Sequence, residues 1–458
     1  MTESDKRIAY APTPGLSYDP ADPKYWDEAG LEQEIVRVFE ICNGCRMCFK
    51  YCDAFPALFA MLDGEAHGDV HKLGRGDVRR VMDLCFQCKL CEVQCPYTPR
   101  DKHEYQVDFP KLVHRYDAID YRKRGAGGAR AALRNRMLAH PDQAGKMARM
   151  SFGLANAANR IRPLRVLMEK TVGIHRDKLL PDFAGQTFDA WAEANGFVKE
   201  EPGGEVVLFQ TCFVQNNDTQ LGRDILEVMR ANQVDVRVVR GLQCCGMPAW
   251  EHGDLESLRR QARHDLDLLL PFVDKGAKVI VVNPTCSMVM RREWPELLEG
   301  PDRPRAARLA AAVMDVSEFL WSIREQPRFN TAFKSSPPGG KVAYHAPCHL
   351  RAQAVGFKGR DLLRRIPGVS VAATVLECCG HDGTYAMTVE GFDVSRRVGQ
   401  KAFDGMEAAG AEVWATDCPL AAIQFRQFAG KRPLHPMSIL ARAYRGEGFG
   451  PEEGGGKP

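Results

Sequence analysis

Nowhere in this 458-residue sequence is there a run approaching the roughly 18 uninterrupted apolar residues that a membrane-spanning helix requires, so no span is expected. The start, Met1-Thr2-Glu3-Ser4-Asp5, lacks the apolar stretch and small-residue cleavage site of a secretory signal. A reducing, cytoplasmic compartment is therefore expected, and disulfides are not. A glycine-rich dinucleotide loop after a strand is also missing. Gly125-Ala126-Gly127-Gly128 follows Arg122-Lys123-Arg124, the wrong context, so neither flavin nor NAD is expected in this chain. Nor is there an overall excess of one charge, since 62 Lys/Arg stand against 59 Asp/Glu. The balance hides a local one: residues 121–180 hold 14 Lys/Arg against three acids, leaving 48 against 56 elsewhere. That pattern points to one local basic surface and excludes a nucleic-acid-coating protein.

What is present is cysteine. Of 16, eight fall between Cys42 and Cys95, and eight are spread in repeating order from Cys212 to Cys418. The length calls for two to four domains. Residues 1–33, with Pro12, Pro14, Pro20 and Pro23, read as an arm, with a helix starting at the apolar spacing of Ile35, Val36, Val38 and Phe39. Residues 34–110 hold both dense cysteine runs. Residues 111–200 read as a basic helical connector broken at Gly125–Gly128, Pro141 and Pro163. From 201 onward, short β-branched runs alternate with helical stretches, the signature of parallel sheets with crossover helices. Residues 446–458, rich in glycine and charge, read as a disordered tail.

Cys42-x2-Cys45-x2-Cys48-x3-Cys52 and Cys85-x2-Cys88-x2-Cys91-x3-Cys95-Pro96 are two copies of the run by which bacterial-type ferredoxins bind [4Fe–4S] clusters. Two-residue gaps let one tight loop aim three thiolates at one cube, while the displaced fourth reaches the neighbouring cube. The expected sets are Cys42, Cys45, Cys48 and Cys95 for cluster 1, and Cys85, Cys88, Cys91 and Cys52 for cluster 2. Tetrahedral zinc has no use for a third cysteine in the same loop. Asp53 stands where the usual motif has proline, which alters the first loop and leaves its donors intact. The intervening residues, helix-compatible over Asp77–Leu84, suit a helical two-cluster domain.

The region beyond 205 is a duplication. In the first half Val206–Phe209, Val234–Val239 and Lys278–Val282 read as strands, with helices near 218–231 and 255–272. The second repeats this with Lys341–Tyr344, Val369–Val375 and Glu412–Ala415, and helices near 359–365 and 394–409. Cys212 and Cys348, Cys244 and Cys378, and Cys286 and Cys418 are offset by 136, 134 and 132 residues. Each half thus presents a cysteine after its first strand, a Cys-Cys-Gly (Cys244-Cys245-Gly246, Cys378-Cys379-Gly380), and a cysteine after its last strand. The carboxyl ends of parallel strands face one crevice, so each half can gather four thiols as a metal site. Glycine after each pair permits a turn that a Cβ would block. His345, His349 and His381 crowd the second half as candidate ligands or proton carriers.

These duplicated Cys–CCG–Cys halves behind two ferredoxin runs resemble the CCG-domain family. That family includes the B and D subunits of heterodisulfide reductase, the glycolate oxidase iron–sulfur subunit, and the iron–sulfur C subunit of anaerobic glycerol-3-phosphate dehydrogenase. The likeness to the last extends through Gly173-Ile174-His175-Arg176, Leu180-Pro181, Thr187-Phe188 and Trp191, and so covers nearly the whole chain. It implies a multidomain α+β protein: an N-terminal helical two-cluster ferredoxin-like domain, a helical connector, and two duplicated α/β CCG half-domains. In heterodisulfide reductases such halves bind noncubane clusters with five cysteines, the last two spaced Cys-x2-Cys. Here Val289 and Ala421 stand in place of the fifth, so each half has four thiols, enough for an ordinary cube or a zinc. The halves also differ, since Cys379-Gly380-His381-Asp382-Gly383-Thr384-Tyr385 fits the family's CCGxxGTY and Cys245-Gly246-Met247-Pro248-Ala249-Trp250 does not.

In the basic middle, Met147, Met150, Leu154, Ile161, Leu164 and Leu167 or Met168 recur at helical spacings among arginines. Such a stripe packs on the protein's own core or a partner, or lies on an anionic lipid surface. The expected function is an iron–sulfur electron-transfer subunit, relaying electrons from a flavoprotein dehydrogenase partner of glycerol-3-phosphate or 2-hydroxy-acid type toward quinone. By the same analogy it acts in the cytoplasm, peripherally at the inner face of the membrane. Two other readings stand beside it: a thiol/disulfide reductase with a catalytic CCG cluster, and a zinc-braced binding module. The sequence assigns no catalytic residue.

Overall fold

In the computed structural model, which describes residues 11–124, 128–199 and 201–449, the Asp27 carboxylate accepts the Gly30 amide at 3.0 Å and so caps α1, Glu28–Cys45. This cap starts the helix well before Ile35, where the apolar spacing alone placed it. The proline-rich stretch before it is not a loose arm. Pro23–Trp26 forms one 3-10 turn, and the buried Arg115 guanidinium donates to the carbonyls of Gly15, Tyr25 and Asp27 at 2.8, 2.7 and 3.1 Å. Backbone acceptors that proline keeps out of regular structure are thus satisfied by one side chain. Residues 1–10 lie outside the described part.

The chain divides into two compact units, Met1–Ala132 with Ala249–Leu255, and Leu133–Pro248 with Glu256–Pro458. The basic segment is split between them. The first unit packs α1 against α2 (Ala54–Asp63) and α5 (Phe109–Arg124), with α3 (Arg75–Asp83) and the short α4 (Leu90–Gln94) alongside. Phe109 packs between Phe39 and Phe55 in its core, with ring centroids 6.4 and 4.6 Å away.

The second unit contains two parallel sheets. β1 (Val206–Phe209), β2 (Val236–Val238), β3 (Lys278–Val281) and β4 (Val313–Asp315) lie in the order β2-β1-β3-β4. β5 (Lys341–His345), β6 (Ser370–Val375) and β7 (Val413–Thr416) lie as β6-β5-β7. The first three strands of each half therefore share one topology, all parallel, with β4 added to the first. Crossover helices Thr219–Ala231 and Leu255–Asp274 serve the first sheet, Lys358–Leu363 and Phe392–Ala408 the second. Both crossings leave the β1 and β5 carboxyl ends at a switch in chain direction, where side chains converge.

The connector stripe meets the surface and not the core. Met147, Met150, Leu154, Leu164 and Leu167, on helices Pro141–Met150, Leu154–Ala158 and Arg162–Val172, are all exposed, as are Phe152 in the turn between the first two, by 97%, and Ile161, which precedes the third. The expected breaks at Pro141 and Pro163 hold, each proline standing in the first turn of its helix. Residues 125–127, in the break expected at Gly125–Gly128, lie outside the described part, as do residues 450–458 of the expected tail. Gly446–Phe449 at the start of that tail is not free: the Glu447 amide bonds the Arg442 carbonyl and Phe449 is buried. No helix among the described residues is long and apolar enough to cross a membrane.

Candidate metal centres

Cys42 and Cys45 occupy the last turn of α1, which Arg46 ends in the left-handed conformation (φ 53°). The Arg46 guanidinium is held by Asn43 and Asp63 at 2.6 Å each. Cys48 and Cys52 lie in the turn before α2. In the second run, Gln87 (φ 49°) and Lys89 (φ 59°) are also left-handed, bending the backbone around Cys88 before Cys91 enters α4. Cys95 caps that helix, its amide bonding the Cys91 carbonyl at 2.9 Å.

The eight thiols gather in two sets. A cleft is lined by Cys42, Cys45, Cys48 and Cys95, together with Phe55 and Phe59. Burial, then the neighbouring Cys48, Cys95 and Cys45, pushes the Cys42 thiol far above its ordinary pKa, and Cys48 is pushed up to about 12 by burial and by Cys95, Cys45 and Cys52. Cys91 is likewise driven up by burial, with Cys88, Cys85, Cys48 and Cys52 acting on it. The sets adjoin, the Cys48 thiol donating to the Cys91 carbonyl at 3.9 Å.

In the first CCG half the backbone turns sharply at Thr211, whose φ of 70° is rare for a β-branched residue. Cys212 follows in the helix Thr211–Asn216, and Cys286 lies in Pro284–Met288 beyond β3. The thiols form a chain. Cys212 and Cys245 donate to Cys244, which the hydrogen bonds of those two neighbours and of the Gly246 amide hold well below the ordinary thiol range. Cys245 also donates to Cys286, and these bonds raise Cys245, as the bond to Cys244 raises Cys212. Trp294 Nε1 fixes the Cys245 carbonyl at 3.0 Å.

In the second half Cys348 opens the helix Cys348–Ala352, and Cys418 caps Pro419–Ala429 by accepting the Ala421 amide at 3.4 Å. Burial, then Cys418, pushes Cys379 up to about 12, and burial pushes Cys418 up to about 11, with Cys286 of the first half also acting on it. The Cys378 sulfur accepts the Gly380 amide at 3.3 Å. Glycine is required after both pairs. Gly246 has φ 90° and Gly380 φ 74°, and a Cβ on Gly380 would lie 2.0 Å from the Ser395 carbonyl oxygen.

The histidines are placed differently from one another. His345 is buried, its Nε2 facing the Glu377 carbonyl at 3.2 Å and Nδ1 the Thr416 hydroxyl at 3.0 Å. A carbonyl demands a donor, so Nε2 carries the proton and Nδ1 accepts, leaving no nitrogen free for a metal. Burial lowers its pKa to about 4. His349 Nδ1 bonds Thr285 of the first half at 2.9 Å, and His381 is buried with its pKa lowered to about 3 by desolvation.

Buried thiols that raise one another's pKa fit a metal centre, because a cation among them replaces the protons that burial retains. Among the described residues no three His, Cys, Asp or Glu side chains converge as donors to a single ion.

Three neighbours of these sites escaped the sequence reading. Asp142 accepts the Cys244 amide at 2.8 Å, and burial followed by Cys244 raises its pKa to about 7. Lys178 is buried beside Cys379. Trp250, five residues after Cys245, stacks on His114 in the first unit at 4.8 Å, with Lys89 Nζ 5.4 Å from its ring centre. The HRDK segment and the CCG-to-Trp spacing were visible in the sequence, but nothing in either marks a partner distant along the chain.

Comparison with known proteins finds the Fer4-like domain of citrate utilization protein B over residues 35–123, and the cysteine-rich CCG domain twice, over 206–291 and 342–426. The C subunit of anaerobic glycerol-3-phosphate dehydrogenase from Escherichia coli is 29% identical over 69% of this chain and 78% of its own. The B subunit of fumarate reductase (CoM/CoB) from Methanothermobacter marburgensis is 23% identical over 85% of this chain and 76% of its own. Lactate utilization protein A from an Exiguobacterium strain is 28% identical over 45% and 83%.

Proposed function

From a chain that carries one Fer4-like domain and two cysteine-rich CCG domains, and that resembles the C subunit of anaerobic glycerol-3-phosphate dehydrogenase, we propose an electron-transfer subunit of an oxidoreductase complex. Iron–sulfur cubes, when bound, supply one-electron transfer. Cys42, Cys45, Cys48 and Cys95 hold one in the first unit, and Cys85, Cys88, Cys91 and Cys52 hold the other. The observation that supports this reading is the cleft that Cys95 lines together with Cys42, Cys45 and Cys48, a crossing from the second run to the first that the ferredoxin motif requires and sequence neighbours alone would not produce. Cys212, Cys244, Cys245 and Cys286, and Cys348, Cys378, Cys379 and Cys418, hold further metal–thiolate centres in the CCG halves.

The partner that feeds this chain is a flavoprotein dehydrogenase and the acceptor is quinone; the relatives' names, glycerol-3-phosphate dehydrogenase and lactate utilization, support only the glycerol-3-phosphate or 2-hydroxy-acid type of substrate. The site of action is the cytoplasmic face of the membrane. Supporting that placement are the exposed stripe from Met147 to Leu167 and the excess of Lys/Arg over residues 121–180, which suit an anionic lipid surface. The test is affinity capture of the tagged chain from its native cell, followed by flavin analysis. A flavin-containing chain held in stoichiometric amount is expected; capture of the intact, iron-loaded chain without any flavoprotein contradicts the reading.

A further inference from the structure

Lys178 is 3% exposed, and its ammonium donates to Gln424 Oε1 at 2.5 Å. Gln424 passes the contact on, its Nε2 donating to the Ser395 hydroxyl at 2.7 Å. The lysine is delivered by a rigid piece of connector. Arg165 Nη2 donates to the carbonyls of His175 and Lys178 at 2.8 and 2.7 Å, and its Nε to that of Arg176 at 3.1 Å. Gln427 straps the same turn to the helix Pro419–Ala429, accepting the Leu179 amide at 3.1 Å and donating to the Asp177 carbonyl at 2.6 Å. That helix is the one Cys418 caps.

A buried ammonium needs a compensating anion, since taking it from water costs several kcal/mol. Among the described residues no Asp or Glu pairs with Lys178; the acidic group acting on it is Cys379, whose thiol burial keeps protonated, and Ser395, the end of the Lys178–Gln424 relay, lies with its carbonyl against Gly380, the next residue. The other groups here are His381, on which Lys178 acts, and Asp382 and Asp417, which face the Cys379 and Cys418 thiols. Asp417 is itself engaged by the hydroxyls of Tyr344 and Ser317. Neutral thiols would leave the lysine uncompensated; a four-thiolate metal centre is anionic and would not. The first half places the carboxyl of Asp142 against its Cys244 instead.

We propose that Lys178 is the counter-ion of an anionic metal–thiolate centre in the second CCG half, and that its charge raises the reduction potential of that centre. The role rests on the reading of this half as a metal site. It makes Lys178 a positioning residue of charge, reaching the site from the connector and acting through Cys379. An added electron is stabilised by a fixed cation in a poorly solvated site. Among the described residues no lysine acts on the Cys212, Cys244 or Cys245 thiols of the first half.

The test is a potentiometric titration of the anaerobically purified full chain followed by EPR, with Cys379→Ser identifying the signal of the second half. In Lys178→Met that signal is expected to shift to lower potential by at least a tenfold change in the reduction equilibrium, about 59 mV for one electron. The other signals hold, and Lys178→Arg, which keeps the charge, stays within about threefold of the unsubstituted chain. Loss of the signal in the Met variant alone, with the N-terminal signals intact, also supports the role. An unchanged midpoint in Lys178→Met overturns it, as does equal loss in both variants. A signal absent from the unsubstituted chain overturns the redox-active centre on which the role rests.

Discussion

At Gly380 the backbone takes φ 74° and approaches the Ser395 carbonyl so closely that any Cβ collides with it. Gly380→Ala is expected to cost about 2 kcal/mol or more, from left-handed strain and displaced backbone together. Gly76, on the surface of α3 with nothing within 4 Å of its missing Cβ, is the control, where alanine is expected to add about 0.5–1 kcal/mol. Denaturant midpoints of the two variants check both. Asp315 gives a prediction of different kind. Burial, against the pull of Arg291 and the Ser287 hydroxyl, raises its pKa from 3.8 to about 7, with Glu318 and Asp417 adding to the rise. The folded state thus holds a proton that the unfolded state releases near pH 4. Its contribution to stability is complete below that pH and fades as pH climbs through about 7. Asp315→Asn should flatten this fall in a comparison of unfolding midpoints at pH 5.5 and pH 8; parallel profiles for the two proteins would contradict the assignment.

Among the elements, six of the seven strands and the crossover helices were legible because their signals are local; the three-residue edge strand Val313–Asp315 was not foreseen. The helix foreseen near 394–409 is Phe392–Ala408, and the strand foreseen at Val369–Val375 is Ser370–Val375. What local signals missed was set by partners far along the chain. Arg115 reaches back to Gly15 to order a stretch that reads as an arm, and Arg165 closes a turn whose purpose is at Gln424. Arg165→Met would strip donors from three carbonyls and is expected to cost about 2–4 kcal/mol, seen as a lower denaturant midpoint. The stripe was legible as amphipathic but not as exposed, because a pattern of apolar spacing is the same whichever surface covers it. With Phe152 so far out, Phe152→Glu combined with Leu154→Glu is expected to abolish sedimentation with anionic vesicles and leave the fold unchanged. Undiminished sedimentation of the double variant would remove the stripe as the lipid contact.

On the scale of the whole molecule, duplication accounts for most of what the sequence disclosed. Three cysteine offsets within four residues of each other correspond to two sheets that share the order second-first-third. What stayed hidden comes from outside the duplication: the connector sets the carboxyl of Asp142 by Cys244 and the ammonium of Lys178 by Cys379. The central claim is that these thiols grip iron and sulfide. Iron, acid-labile sulfide and zinc are to be measured on chain purified without oxygen, with EPR of the reduced protein. Iron and sulfide in equal amounts, beyond what two cubes hold, with interacting signals from the N-terminal pair, is the expected result. Zinc without labile sulfide, in colourless protein, would contradict it.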